Sequence, residues 1–179
     1  HSYGVTPMAL KQCLFGALII GLVFMDLEEL ILADEFTLGG TLAGLVLSLW
    51  VPFESGLLRS YLPSFDPRWI SLAKAALAAA FAAGALWLVG AAYYRVRKRE
   101  GLGLGDVKMT AMIATFLGLQ PTLLALLVGS VLGAVVGLVF ILVTRKDAAT
   151  YELPFGSFLG VAALAVAWFA EPLLRWLAG

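Results

Sequence analysis

The chain has 179 residues, of which 61% are hydrophobic and 13% charged, and its formal net charge is zero. A soluble domain carries ~25% charged residues. A chain with a mean hydropathy of +0.96 cannot hide its apolar surface in one small core, so a soluble globular domain is excluded and a lipid solvent is expected. Zero net charge gives no footing for a nucleic-acid partner, and the single cysteine, Cys13, rules out a disulfide framework or a CxxC metal pair within the chain.

Six apolar segments predict six transmembrane helices, an all-α polytopic membrane fold forming one membrane-embedded domain over residues 1–179. The first covers 7–25, with Thr6 as N-cap and Pro7 at the first helical position. The second covers 36–53, with Asp34 or Thr37 as cap. The third covers 67–94 and starts at Asp66-Pro67. The fourth, "VKMTAMIATFLGL", is stopped by Gly118 and Pro121. At ~1.5 Å per residue it falls well short of ~30 Å of hydrocarbon. Its N-terminal end is therefore expected inside the bilayer, with the preceding "GLGLGD" dipping below the membrane surface. Irregular backbone is tolerated there only when buried in protein or lining a wet cavity. The fifth covers 121–143 and carries Gly129, Gly133 and Gly137, a stripe that reads as close helix packing, as does the alanine-rich third. The sixth covers 157–170. Glu171-Pro172 is expected to interrupt it, with "LLRWLAG" forming a short interfacial turn.

Lys and Arg set the orientation. Arg95, Arg97, Lys98, Arg99, Lys108, Arg145 and Lys146 fall on one side, which the positive-inside rule makes cytoplasmic. The same side also gathers acids: Asp26, Glu28, Glu29, Asp34, Glu35, Glu100, Asp106, Asp147 and Glu152. Two of these stand apart. Asp26 ends an unbroken apolar helix, and Asp106 opens the short one. An ionisable group at or within a membrane is a functional candidate. The alternatives are a plain N-cap for Asp106 and a solvated helix end for Asp26, although the C-terminal end of a helix disfavours a negative charge. "GLGLGD" lacks the Lys-Ser/Thr of a phosphate loop and follows no strand, so nucleotide binding is excluded.

Three blocks, "MDLEELILADEFTLGG" (25–40), "GLGLGDVKM" (101–109) and "LPFGSFL" (153–159), resemble the bacterial type IV prepilin peptidases, membrane aspartic proteases of the GxGD class. The first carries two aspartates, Asp26 and Asp34, with seven residues between them. The second matches Gly-x-Gly-Asp-x-Lys at Gly103, Gly105, Asp106 and Lys108. The third, usually Pro-Phe-Gly-Pro-Phe-Leu, is matched at Pro154, Phe155, Gly156, Phe158 and Leu159. The chain departs from the pattern at Ala33 (usually Pro), Glu29 (often His) and Ser157 (usually Pro). The resemblance implies the catalytic core of a longer enzyme, starting just before its third helix. Zinc-binding CxxC pairs and S-adenosylmethionine-dependent N-methylation would belong to the full-length enzyme. Proteolysis itself implies no cofactor and no metal.

The resemblance also implies that Asp26 and Asp106 are the catalytic pair and that the substrate is a prepilin or a type II secretion pseudopilin. Its basic leader would be cut at the cytoplasmic face of the inner membrane, while its apolar helix lies among lipid and the spans. Helix position and Lys108 suggest Asp106 as the ionised base and Asp26, beside Glu28 and Glu29, as the acid. Gly103 and Gly105 would let backbone approach an extended substrate and adopt dihedrals closed to other residues. Asp34 and Glu35 either cap the second helix or meet the leader's basic charge. Pro154, Phe155 and Gly156 form either a substrate-facing loop or a simple helix start. Two rival readings remain: a proton-coupled transporter with Asp26 and Asp106 as its relay, and a structural assembly protein.

Overall fold

Thr6 accepts a hydrogen bond from the Ala9 N–H, and Pro7 follows it, so the first helix starts where the cap-and-proline pair predicts. The computed structural model describes residues 6–51, 66–98, 102–144 and 154–178. Its helices are α1 (Pro7–Glu29), α2 (Asp34–Trp50), α3 (Pro67–Arg97), α4 (Leu104–Leu117), α5 (Leu119–Thr144) and α6 (Phe155–Ala178). No strand occurs among the described residues. α1, α3 and α5 are each long and apolar enough to cross a bilayer. The protein is an all-α membrane protein.

Three boundaries differ from expectation, each for a local reason. α1 runs a turn beyond Met25 and stops at Leu30, whose φ of 55° is left-handed and whose N–H returns to the Asp26 carbonyl. Asp26 is thus in the last turn of the helix. α6 continues through Glu171-Pro172 to Ala178 instead of breaking there. A proline costs a helix one hydrogen bond and a steric clash, but membrane helices tolerate it by local adjustment. α2 begins at Asp34 and ends at Trp50, where Val51 leaves the helix with its N–H returning to the Leu47 carbonyl, so the expected run to Phe53 stops short; residues 52 and 53 lie outside the described residues.

The fourth helix is as short as predicted, with 14 residues, or about 21 Å. It ends at Gly118, the one residue between α4 and α5, with φ 84° and ψ 177°. Only glycine adopts that backbone cheaply. The short helix is also central: α4 packs against each of the other five helices. Its Met109, Met112, Ile113 and Phe116 meet Phe15, Ile19 and Leu22 of α1 and Leu159, Ala163 and Val166 of α6 in one core. The rings of Phe15 and Phe116 lie 5.3 Å apart.

Lipid is as apolar as leucine, so these helices associate through close packing rather than through transfer from water. Small residues make that approach possible. Ala78, Ala79 and Ala82 of α3 pack on Ala114 of α4. A Cβ on Gly129 of α5 would lie 3.0 Å from the Leu159 Cα of α6. This is the packing role expected for the glycine stripe and the alanine-rich helix. On α2, Gly44 faces Thr115 and Phe116 of α4 with no room for a methyl group. Gly44→Ala is expected to destabilise the protein by about 1–3 kcal/mol through overpacking, seen as a lower thermal midpoint in detergent. An unchanged midpoint would mean that Thr115 and Phe116 yield freely.

Candidate active site

Two buried carboxylates meet at the start of α6. Asp26, in the last turn of α1, is 5% exposed, and Asp106, in the first turn of α4, is 9% exposed. Gly156, in the first turn of α6, lies between them. A Cβ built on Gly156 would sit 3.1 Å from Asp106 Oδ1 and 3.1 Å from both Cγ and Oδ2 of Asp26. The two carboxylate oxygens are therefore separated by no more than twice that distance. The three sequence blocks, far apart in the chain, converge on one point.

Each carboxylate is held by a helix start. Ser157 donates to Asp26 Oδ2 from its backbone N–H at 2.6 Å and from its hydroxyl at 2.7 Å. The same hydroxyl is 3.3 Å from the Val23 carbonyl. Asp106 is not the N-cap of α4. That position belongs to Gly103, and Asp106 follows three residues later. Its carboxylate is hydrogen-bonded by the Gly103 backbone, a reach-back that satisfies a donor otherwise orphaned at a helix start. Asp26 ends its own helix but faces the positive end of α6, so the helix-end argument no longer separates the two aspartates.

Other expected residues fall elsewhere. Asp34 does not cap α2: Ala33 holds that position without a side-chain bond, and Asp34 is the first helical residue. Thr37 is no cap either, since its hydroxyl donates to the carbonyls of Ala33 and Asp34. Asp34 instead binds Lys108 Nζ through both oxygens, at 2.6 and 2.8 Å. Lys108 therefore spends its charge on Asp34 and ties the start of α2 to α4. The side chains are 35% and 57% exposed for Lys108 and Asp34, so the pair is weak. Lys108→Met is expected to cost less than about 1 kcal/mol, read from the thermal midpoint in detergent. A larger loss would show that the pair fixes the α2–α4 geometry.

Gly103 and Gly105 do not use dihedrals reserved for glycine. Gly118 is the one glycine with positive φ among the described residues. What they supply is missing bulk. A Cβ on Gly103 would lie 3.4 Å from Asp106 Oδ2, and one on Gly105 would lie 3.0 Å from Leu32 Cβ, in the link between α1 and α2. Pro154 directly precedes α6, and Phe155 packs its ring against the core. Glu100 and the charges at 145–152 lie outside the described residues. Among the described residues, no three His, Cys, Asp or Glu side chains are grouped as a metal would need.

Ser157 is the residue that the sequence reading passed over, noted only as a departure from the usual proline. The sequence offered only its place in the first turn of a helix, where N–H groups lack partners inside the helix, and nothing in it pointed to Asp26, 131 positions earlier.

A helical membrane protein that brings two carboxylates from separate helices to the head of a third belongs to the class built on a buried aspartate pair. The profile of the type IV leader peptidase family matches residues 13–138, and the chain belongs to that family. It is 31% identical over 177 residues to the prepilin leader peptidase/N-methyltransferase of Legionella pneumophila, covering 99% of this chain and 56% of the relative. Identity to the protein of the same name from Pseudomonas putida is 32% over 170 residues, covering 94% and 53%. For that of Aeromonas hydrophila it is 30% over 167 residues, covering 93% and 52%. The chain spans about half the length of the curated relatives it matches. No solved structure gives a significant match.

Proposed function

We propose that the protein is a membrane aspartic endopeptidase that removes the basic leader from type IV prepilins or type II secretion pseudopilins. It would work at the cytoplasmic face of the bacterial inner membrane, with six spans and Asp26 and Asp106 as the catalytic pair. The observation that carries this reading is the convergence of both carboxylates on Gly156. Two carboxylates this close cannot both ionise cheaply and share a proton as a pair. One takes a proton from water as the water oxygen attacks the scissile carbonyl carbon. The other gives its proton to the carbonyl oxygen. The tetrahedral intermediate then collapses: the first carboxyl protonates the leaving nitrogen, the C–N bond breaks, and a hydroxyl proton returns to the second.

Substrate contacts follow from what the site leaves available. A cavity of about 360 Å³ between α1 and α2 is lined by Leu14, Leu18, Phe36, Gly39, Gly40 and Ala43, with Glu35 at one end. With Asp34 engaged by Lys108, Glu35 is the acid placed to meet a basic leader, and the apolar groove suits the substrate's helix. We assign no methyl-transfer step to these residues. S-adenosylmethionine and zinc remain proposals for a longer enzyme.

Among the described residues, α1 and α4 offer the transporter reading no polar path. Between Asp26 and Lys11, α1 buries only Leu22, Ile19, Gly16 and Phe15. Along α4, the hydroxyls of Thr110 and Thr115 bond to their own helix backbone. The experiment that tests the proposal is incubation of the purified protein, in detergent or vesicles, with a prepilin peptide. Cleavage after the leader is expected, and an intact peptide with a folded protein would defeat the proposal.

A further inference from the structure

We infer that Ser157 is the positioning residue of the carboxylate pair: through its N–H and its hydroxyl it anchors Oδ2 of Asp26, leaving Oδ1 to take the proton from water. The inference rests on the proteolytic reading above and deepens it. A backbone N–H can only donate, so at 2.6 Å Oδ2 is an acceptor. The hydroxyl, at 2.7 Å, has Oδ2 as its nearer oxygen, the Val23 carbonyl being 3.3 Å away. Both donors come from the first turn of α6, where N–H groups have no partner inside the helix and carry partial positive charge. Hydrogen bonds to a carboxylate are shorter and roughly twice as strong as neutral ones.

With Oδ2 taken by two donors, Oδ1 is the oxygen of Asp26 left to exchange a proton with water, and Asp106, whose Oδ1 faces the same point at Gly156, is left to serve the scissile carbonyl. This reverses the roles drawn from the sequence. There, Glu28 and Glu29 argued for a protonated Asp26, but both are exposed, whereas the Ser157 contacts are buried. In the resulting step, Asp26 Oδ1 accepts the water proton while Asp106 protonates the scissile carbonyl oxygen. A proline at position 157, usual in the family's third block, would supply neither donor.

Three substitutions grade the contact: Ser157→Thr keeps both donors, Ser157→Ala keeps the N–H, and Ser157→Pro removes both. With purified protein and a prepilin peptide, kcat is expected to fall about tenfold for alanine and about a hundredfold for proline. KM should stay within about twofold, because the contact is to the catalytic group rather than to substrate. Threonine should restore most of the kcat lost with alanine. Unchanged kcat in the alanine and proline variants, losses confined to KM, or a threonine variant as poor as alanine would each overturn the inference. A second measurement needs no activity. Thermal midpoints of Ser157→Ala, Asp26→Ala and the double variant are expected to be non-additive, and additive shifts would overturn it equally. An unsubstituted protein that cleaves no prepilin defeats only the proteolytic reading, because the cycle still decides the Ser157 contact.

Discussion

Asp26→Asn and Asp106→Asn are each expected to lower prepilin cleavage at least about a thousandfold, the scale on which a general acid or base contributes. Asparagine keeps the size of the side chain and an oxygen that can accept from Ser157 or Gly103, but it can neither take nor give the proton. Both positions are buried, and each substitution removes a carboxylate from beside another. Folding should therefore survive, and an unaltered elution profile and helix content in detergent would confirm it. Cleavage within tenfold of the unsubstituted protein in either variant would remove that aspartate from the chemistry. A transporter or an assembly protein would leave the peptide intact in every sample, so the comparison also decides the class.

Gly156→Ala is expected to cost about a hundredfold in kcat/KM while leaving the thermal midpoint nearly unchanged. The new methyl carbon would lie 3.1 Å from atoms of both carboxylates, inside the ~3.5–4.0 Å of an optimal contact, so at least one of them must shift. A misplacement of about 1 Å at reacting groups carries a penalty of this order. The helix itself loses nothing, because alanine is the better helix former. Activity and stability should therefore separate, which a general packing defect would not produce. Wild-type kcat/KM in this variant would mean that the carboxylates have slack and that their spacing is not set by the glycine.

Local chemistry made most of the fold legible. Thr6-Pro7 and Asp66-Pro67 mark helix starts because a capping oxygen and a fixed φ act within one turn, and both hold in the structure. The short α4 was readable because Gly118 and Pro121 bound it. Its central place was not, since nothing in an apolar sequence says which neighbours a helix touches. Asp34 was misread for a related reason: a good capping residue was assigned to a cap, while its partner, Lys108, comes from another helix. The end of α6 was misplaced because a proline rule from water was applied where backbone groups stay paired. At the site, Asp26 and Asp106 were legible as acids in lipid, and family resemblance joined them. The donors that hold Asp26 come from a serine more than a hundred positions away, a contact that no local signal carries.

The order of the blocks along the chain has a consequence for biosynthesis. A ribosome that has completed α4 has already made both aspartates, but neither Gly156 nor Ser157 yet exists. Until α6 is made, Asp26 has no donor on its Oδ2, and the pair lacks the helix start around which it is arranged. On the proteolytic reading, a protein that emerges piecemeal among its membrane neighbours would stay inert until α6 has been made. The start of α6 would in this way double as the signal that the site is assembled.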